Sequence, residues 1–116
     1  RDAQSEKDPL TERNPHMLFM IQWQVNHDQK METWETFAGM TPADDAAAEQ
    51  AHGIRQIGRW HSVADGRGIA IVEADSAESV LGFCMSWTAV LSTFDVTPVL
   101  DDAGTRQIAS AFLSSQ

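Results

Sequence analysis

Hydrophobic and polar residues alternate most clearly in residues 54–75, in two stretches that meet at a turn. Alternation with a period of two is typical of β-strands. In the first stretch we expect one face to carry Ile54, Gln56, Gly58, Trp60 and Ser62, and the other to carry Arg55, Ile57, Arg59, His61 and Val63. The second stretch alternates over residues 69–74. Asp65-Gly66 lies between them, and glycine accepts the positive φ of a tight turn, so the segment predicts a β-hairpin.

Two further stretches alternate in the same way. The first strand, Met17–Val25, presents Phe19, Ile21, Trp23 and Val25 on the face that we expect in the core. Its other face, formed by Leu18, Met20, Gln22 and Gln24, is half polar and is expected to line a cavity or a subunit interface. Residues 92–100 form the last strand. Pro98 cannot donate a hydrogen bond to a neighbouring strand, so we expect this strand at a sheet edge, or this position at an edge or a bulge.

Helical spacing of apolar residues predicts four helices. They begin after Asn26 or Asp28, at Thr41-Pro42, at a D-x-x-E capping box in residues 75–78, and at Asp101-Asp102. Glycine ends the first helix at position 39 and the second at position 53. The third helix has an apolar stripe that should be buried, formed by Val80, Phe83, Cys84, Trp87, Val90 and Leu91. The last helix is expected to turn Ile108 and Phe112 inward.

The chain divides into a polar arm, residues 1–16, and a single domain, residues 17–116. The arm has one large apolar side chain, Leu10, and cannot bury enough surface to order itself. We expect either a mobile leader or an arm that orders against a partner through Leu10, Pro9 and Arg13. Because the chain begins at Arg1, we expect a mature form that has lost a targeting segment, or a trimmed chain.

Composition excludes several classes of function. The net charge is −9, with 8 Lys and Arg and no basic cluster, so nucleic acids are not expected as partners. Cys84 is the single cysteine, which excludes an internal disulfide and suits a reducing compartment, cytoplasmic or organellar. The 4 histidines lack paired ligand spacing, so we expect no metal, and no other cofactor is predicted. No apolar run has the length of a membrane span.

His61 is the candidate chemical group, because it lies on a predicted strand and histidine titrates near neutral pH. It could serve as a general base or proton shuttle, or simply pack or hydrogen bond at the strand end. The four tryptophans could frame a flat apolar ligand, although aromatic residues at these spacings also build cores. The candidate cleft residues are Trp60, Trp23, Gln22 and Gln24.

Charged residues extend the catalytic candidates to His61, Glu73 and Arg59. Glu73 shares the face of Trp60 if the hairpin loop has two or four residues. A carboxylate in that face would have a raised pKa and could act as an acid or base, or it could pair with Arg59 or Arg55. The guanidinium of Arg59 could hold a substrate carboxylate, although surface ion pairing is the commoner use of arginine.

The predicted order, strand, helix, strand, strand, helix, strand, is that of a ferredoxin-like α+β fold, with an extra helix after the first half and another at the C-terminus. Gly-Arg-Trp-His at 58–61 and Val-x-Pro-Val-Leu-Asp-Asp at 96–102, with MLFMIQWQV and Trp87, resemble the family known as domain of unknown function 3303, of the dimeric α+β barrel superfamily. The resemblance covers residues 17–102. It implies a dimer whose two four-stranded antiparallel sheets close into a barrel, and no particular reaction, because that superfamily includes monooxygenases, isomerases and haem-degrading enzymes.

Two functions are therefore expected. The first is a non-catalytic interaction module, an accessory subunit that docks on a larger assembly through its arm and acidic surface, for example in a plastid. Its partners would be proteins, either a second copy or other subunits. The alternative is a small-molecule-binding enzyme, monooxygenase- or isomerase-like, with a cleft around Trp60, His61 and Glu73. The lack of a complete set of catalytic residues favours the first.

Overall fold

The computed structural model describes residues 17–116, which form four strands, four α-helices and one short 3-10 turn. In chain order the elements are β1 (Met17–Val25), the 3-10 turn (His27–Gln29), α1 (Lys30–Ala38), α2 (Pro42–His52), β2 (Ile54–Ser62), β3 (Arg67–Ala74), α3 (Ala77–Met85), β4 (Leu91–Val99) and α4 (Asp102–Ser114). Within residues 17–116, no helix is both long enough and apolar enough to cross a membrane.

The four strands form one antiparallel sheet in the order β2-β3-β1-β4. Two strand-helix-strand units interleave in this way in a ferredoxin-like fold, so the predicted α+β architecture is confirmed. Strand β4 lies at an edge, as its proline predicts. Pro98 is aligned with Phe19 of β1 on one side and has no strand on the other in residues 17–116.

Strand β2 contains a β-bulge that changes the predicted faces. Gln56 is paired with Val72 and Gly58 with Ile71, so Ile57 is an extra residue in the ladder. A bulge reverses the alternation beyond it. Ile54 and Gln56 consequently share a face with Arg59 and His61. The prediction that Ile54 and Gln56 share a face with Trp60 was wrong.

The core lies between one face of the sheet and the helices, and we call this the inner face of the sheet. Its central strands contribute Phe19, Ile21 and Val72, and α3 contributes Val80 and Phe83, all less than a tenth exposed. Complete burial of an aliphatic side chain contributes roughly 1.5–3 kcal/mol, so this layer dominates the stability of the domain. Helix α3 packs on β3, and α2 packs on α3 and β2.

The termini of α2 and the end of α1 at Gly39 follow the sequence, whereas the starts of α1 and α3 are displaced. Thr41 caps α2 in a reciprocal capping box with Asp44, and Gly53 ends it with φ of 69°. Helix α3 is capped by Ser76, whose hydroxyl accepts from the backbone N–H of Ser79 at 3.2 Å, so the expected cap at position 75 was wrong by one residue. At α1 the 3-10 turn takes the place of a side-chain cap from position 26 or 28.

Helix α4 contradicts the prediction that its apolar side chains turn inward. Ile108 and Phe112 are each 62% exposed, and none of the residues of α4 is buried. The Asp101 cap was predicted correctly, since its carboxylate accepts from the backbone N–H of Gly104 at 2.8 Å. Helical spacing identifies residues that share a stripe, but another surface of the same chain has to be close enough to cover it.

Candidate functional site

A cavity of about 50 Å³ lies between the inner face of the sheet and helices α1 and α3. Its walls are mainly aromatic, formed by Trp23, Trp34, Phe37, Phe83, Trp87 and Phe94. All four strands supply one wall, and α1 and α3 with the turn after α3 supply the other. Ligand sites in proteins commonly combine apolar walls of this kind with a few convergent polar groups.

His61 projects into this cavity because the bulge in β2 turns it to the inner face. Its imidazole meets three aromatic rings edge-on, with centroid distances of 5.9 Å to Trp23, 6.4 Å to Trp34 and 4.7 Å to Phe37. Burial, and secondly the positive charge of Arg59, lower the pKa of His61 below its usual value of 6.5. The imidazole is therefore neutral at pH 7, and no group within residues 17–116 makes a hydrogen bond with its ring nitrogens.

Arg59 lies beside His61 and points to helix α2. Its guanidinium donates to both carboxylate oxygens of Asp45, each at 3.1 Å, and to the side-chain oxygen of Gln56 at 3.2 Å. The same group lies 4.9 Å from the centre of the Phe37 ring, which adds a cation–π contact. The positive charge of Arg59 is thus already balanced, and the ion pair joins α2 to β2.

The expected cleft of Trp60, His61 and Glu73 is formed only in part, because Trp60 and His61 line a common groove from which Glu73 is absent. The hairpin loop has four residues, 63–66, so Trp60 and Glu73 share the outer face of the sheet while His61 lies on the inner face. Trp60 is aligned with Ile69 and Arg55 with Glu73, which places Glu73 about 13 Å along β3 from the position of Trp60. Glu73 accepts a hydrogen bond from Arg55 at 2.9 Å and is committed to that ion pair.

The predicted glutamines do not reach the cavity either. Gln22 is exposed and lines a shallow groove of about 400 Å³ with Trp23, Trp60, His61 and Ile69. Gln24 holds the hairpin turn, since its amide donates to the backbone oxygen of Asp65 at 2.7 Å. Of the four cleft residues expected from the sequence, Trp23 is the one whose side chain lies against His61.

Three residues of the site were not assigned to it from the sequence. Phe37 follows Trp34 by three positions, and this spacing is the signal that both face the sheet. Asp45 lies in the first turn of α2, and nothing in the local sequence connects it with Arg59. Thr33 is buried beside the cavity, where its hydroxyl donates to the Gln29 carbonyl at 2.8 Å.

Cys84 also lines the cavity and is buried. Burial raises the pKa of its thiol to about 11, so the thiol is protonated at neutral pH and is a poor nucleophile. This agrees with the reading of Cys84 as a core residue. Among residues 17–116, His, Cys, Asp and Glu side chains do not gather in groups of three or more that could hold a metal ion.

The proposed docking residues Pro9, Leu10 and Arg13 lie outside the described residues, so the role of the arm stays a sequence prediction. Residues 17–113 match the family model described as Domain of unknown function (DUF3303). The chain belongs to the DUF3303 family. Comparison of this DUF3303 domain with curated proteins and with solved structures finds no match. Its function is therefore argued from its own geometry.

Proposed function

We propose that this DUF3303 domain binds a small molecule in the cavity between sheet and helices, with His61 as the polar contact. The observation that supports this most directly is the environment of the imidazole. A neutral ring with no hydrogen bond inside residues 17–116 faces a cavity with largely apolar walls. His61 is half-buried, so water can reach its ring nitrogens in the free domain, and a ligand with a polar group would replace that water.

The cavity itself supports binding over simple packing. Protein interiors are close-packed, and side chains around a void lose van der Waals contacts. Four bulky rings, Trp23, Trp34, Phe37 and Trp87, surround this void without filling it. A ligand that fills it would recover those contacts and would stabilise the folded state by mass action.

Binding rather than turnover is the function that the charged residues support. His61 is the one catalytic candidate that faces the cavity without an ion-pair or hydrogen-bond partner in residues 17–116. Glu73 is on the other face of the sheet, and Arg59 is held by Asp45. A neutral imidazole can accept a proton from a ligand, but a general base acting alone typically contributes a factor of about 10²–10⁴ to a rate.

The experiment is a titration of the ¹⁵N-labelled domain with a panel of single-ring compounds, followed through the tryptophan indole N–H resonances. Each of the 4 indoles is assigned with one Trp→Phe variant. Cavity binding shifts the resonances of Trp23, Trp34 and Trp87 and leaves that of Trp60, on the outer face, unchanged. If no compound shifts the three cavity indoles at millimolar concentration, the proposed function is wrong.

The interaction module is a second proposal, and exposed apolar residues on the outer face favour it. Trp60 is 58% exposed there and shares the face with Leu18, Met20, Ile69 and Ile71, each partly exposed. Contiguous apolar patches on soluble domains commonly mark protein interfaces. We propose that this face joins a second copy or another subunit, as expected for a dimeric barrel or an accessory subunit.

The mass of the domain in solution tests the second proposal. Sedimentation equilibrium should give a dimer that Met20→Lys dissociates, because a charge in the centre of an apolar interface is desolvated without a partner. Ile108→Lys, on the exposed helix α4, is the control and should leave the mass unchanged. A monomer at high micromolar concentration would contradict pairing with a second copy.

A further inference from the structure

We infer that the cavity selects a compact, neutral aromatic molecule with a hydroxyl group, a simple phenol, and rejects a carboxylate of the same size. This inference rests on the proposed function, because it names the chemical class of ligand for the same cavity.

The charge of the site disfavours an anion. Arg59 is the cation beside His61, and both of its bonds to Asp45 would have to break before a ligand carboxylate could bind it. The released Asp45 would then lack its partner. If the ligand anion instead left the Arg59–Asp45 ion pair intact, the anion itself would lie unpaired against aromatic walls. Removing one partner from a buried or half-buried ion pair is costly, and so is burying an unpaired charge. A neutral ligand avoids both penalties.

Of the hydroxyl, amide and imidazole groups that line the cavity, the imidazole is left without a hydrogen bond inside residues 17–116. The Thr33 hydroxyl is already bonded to the Gln29 carbonyl, and the Gln56 side chain lies between Arg59 and Glu49, 3.2 and 3.5 Å from them. His61 remains. A neutral imidazole offers one donor and one acceptor, and a hydroxyl group offers the complementary pair. An aromatic hydroxyl is the better donor to an imidazole nitrogen than an aliphatic one because it is more acidic.

The walls and the volume favour a single aromatic ring. The imidazole already meets Trp23, Trp34 and Phe37 edge-on, the arrangement that aromatic rings prefer. The cavity of about 50 Å³ has room for a few waters, whereas a cavity that binds benzene measures about 150 Å³, so a single ring is the largest ligand and enters only if the aromatic walls shift outward. A fused polycyclic ligand would require the helices to move apart.

The experiment compares phenol, toluene and benzoate at pH 7.5, with dissociation constants taken from the shifts of the cavity indoles. At this pH phenol is neutral and benzoate is ionised, because the reference pKa of a phenol is about 10 and that of a carboxyl about 4. We expect phenol to bind roughly three- to tenfold more tightly than toluene, the value of one net hydrogen bond. Benzoate should bind most weakly.

His61→Phe should abolish the preference for phenol over toluene while toluene still binds. His61→Gln, which keeps a donor and an acceptor, should retain part of the preference, and it replaces His61→Phe if that variant fails to fold. Trp60→Phe, on the outer face, should leave the ranking unchanged. Equal affinity for phenol and toluene, or tightest binding of benzoate, would overturn the inference about phenols. Either result would still agree with the proposal that the cavity binds a small molecule. Absence of binding by all three would refute both.

Discussion

Gly68→Ala is the substitution that most directly tests how the cavity wall is built. Gly68 is paired with His61 on one side and Trp23 on the other, in the centre of three strands. The indole of Trp23 lies across the glycine, and a Cβ added there would come within 2.6 Å of the indole nitrogen and closer still to two ring carbons. Such contacts do not occur in proteins, so the indole has to move, and it lies 5.9 Å from the His61 ring.

The size of the effect follows from two opposing contributions. Overpacking a closely packed site costs about 1–3 kcal/mol. Against this, replacing glycine by alanine reduces the entropy of the unfolded chain and stabilises by about 0.4–1 kcal/mol. We therefore expect Gly68→Ala to lower the free energy of unfolding by about 1–2 kcal/mol. For a domain of roughly 100 residues this lowers the melting temperature by about 5–10 °C.

Thermal and urea unfolding followed by circular dichroism measure this loss, and two glycines of the same chain are controls. At Gly58 an added Cβ would meet Trp60, but that indole is exposed and can swing into solvent, so Gly58→Ala should cost little. At Gly82, inside α3, the nearest atom is 3.7 Å away, and Gly82→Ala should stabilise by up to about 1 kcal/mol through helix propensity. A Gly68→Ala domain as stable as the parent, with an unshifted Trp23 indole resonance, would refute the described packing of the wall.

Three further predictions address the remaining groups of the site. Because the pKa of His61 is lowered in the folded domain, its imidazole binds a proton more readily in the unfolded chain than in the folded domain. The free energy of unfolding should therefore decrease as the pH falls from about 7.5 through the folded pKa. The urea midpoint of His61→Gln should fall less steeply over that range. Cys84, with its thiol pKa raised to about 11, should react with a thiol reagent at pH 8 only as fast as the domain opens. Trp87→Ala should cost about 2–3 kcal/mol in urea unfolding, below the range for a fully buried tryptophan because Trp87 is half-buried.

Each of these predictions has an outcome that would contradict it. If the urea midpoints of the parent and of His61→Gln decrease in parallel as the pH falls, carboxylates and not His61 cause the loss of stability in acid. Modification of Cys84 at the rate of a free thiol under native conditions would contradict its burial. Full stability of Trp87→Ala together with loss of ligand binding would make Trp87 a ligand contact without a packing role.

The order and type of the elements could be predicted from the sequence because each depends on neighbouring residues. Alternation identifies β1, Thr41 and Gly53 delimit α2 through local hydrogen bonds and backbone geometry, and Pro98 requires an edge because of its missing N–H. These signals act over a few residues, so they hold whatever the rest of the chain does. They were sufficient for the ferredoxin-like fold and for His61 as the candidate group.

The site required the tertiary structure because its partners come from distant segments. One extra residue at Ile57 places His61 on the same face as Ile54 and Gln56, and a bulge depends on how two strands are paired. The bond between Arg59 and Asp45 joins residues 14 positions apart on different elements. Whether an apolar stripe is covered is likewise a matter of what lies opposite it. The sequence by itself determined which residues are apolar, capped or able to titrate, and only the packing of the helices on the sheet decided which of them meet.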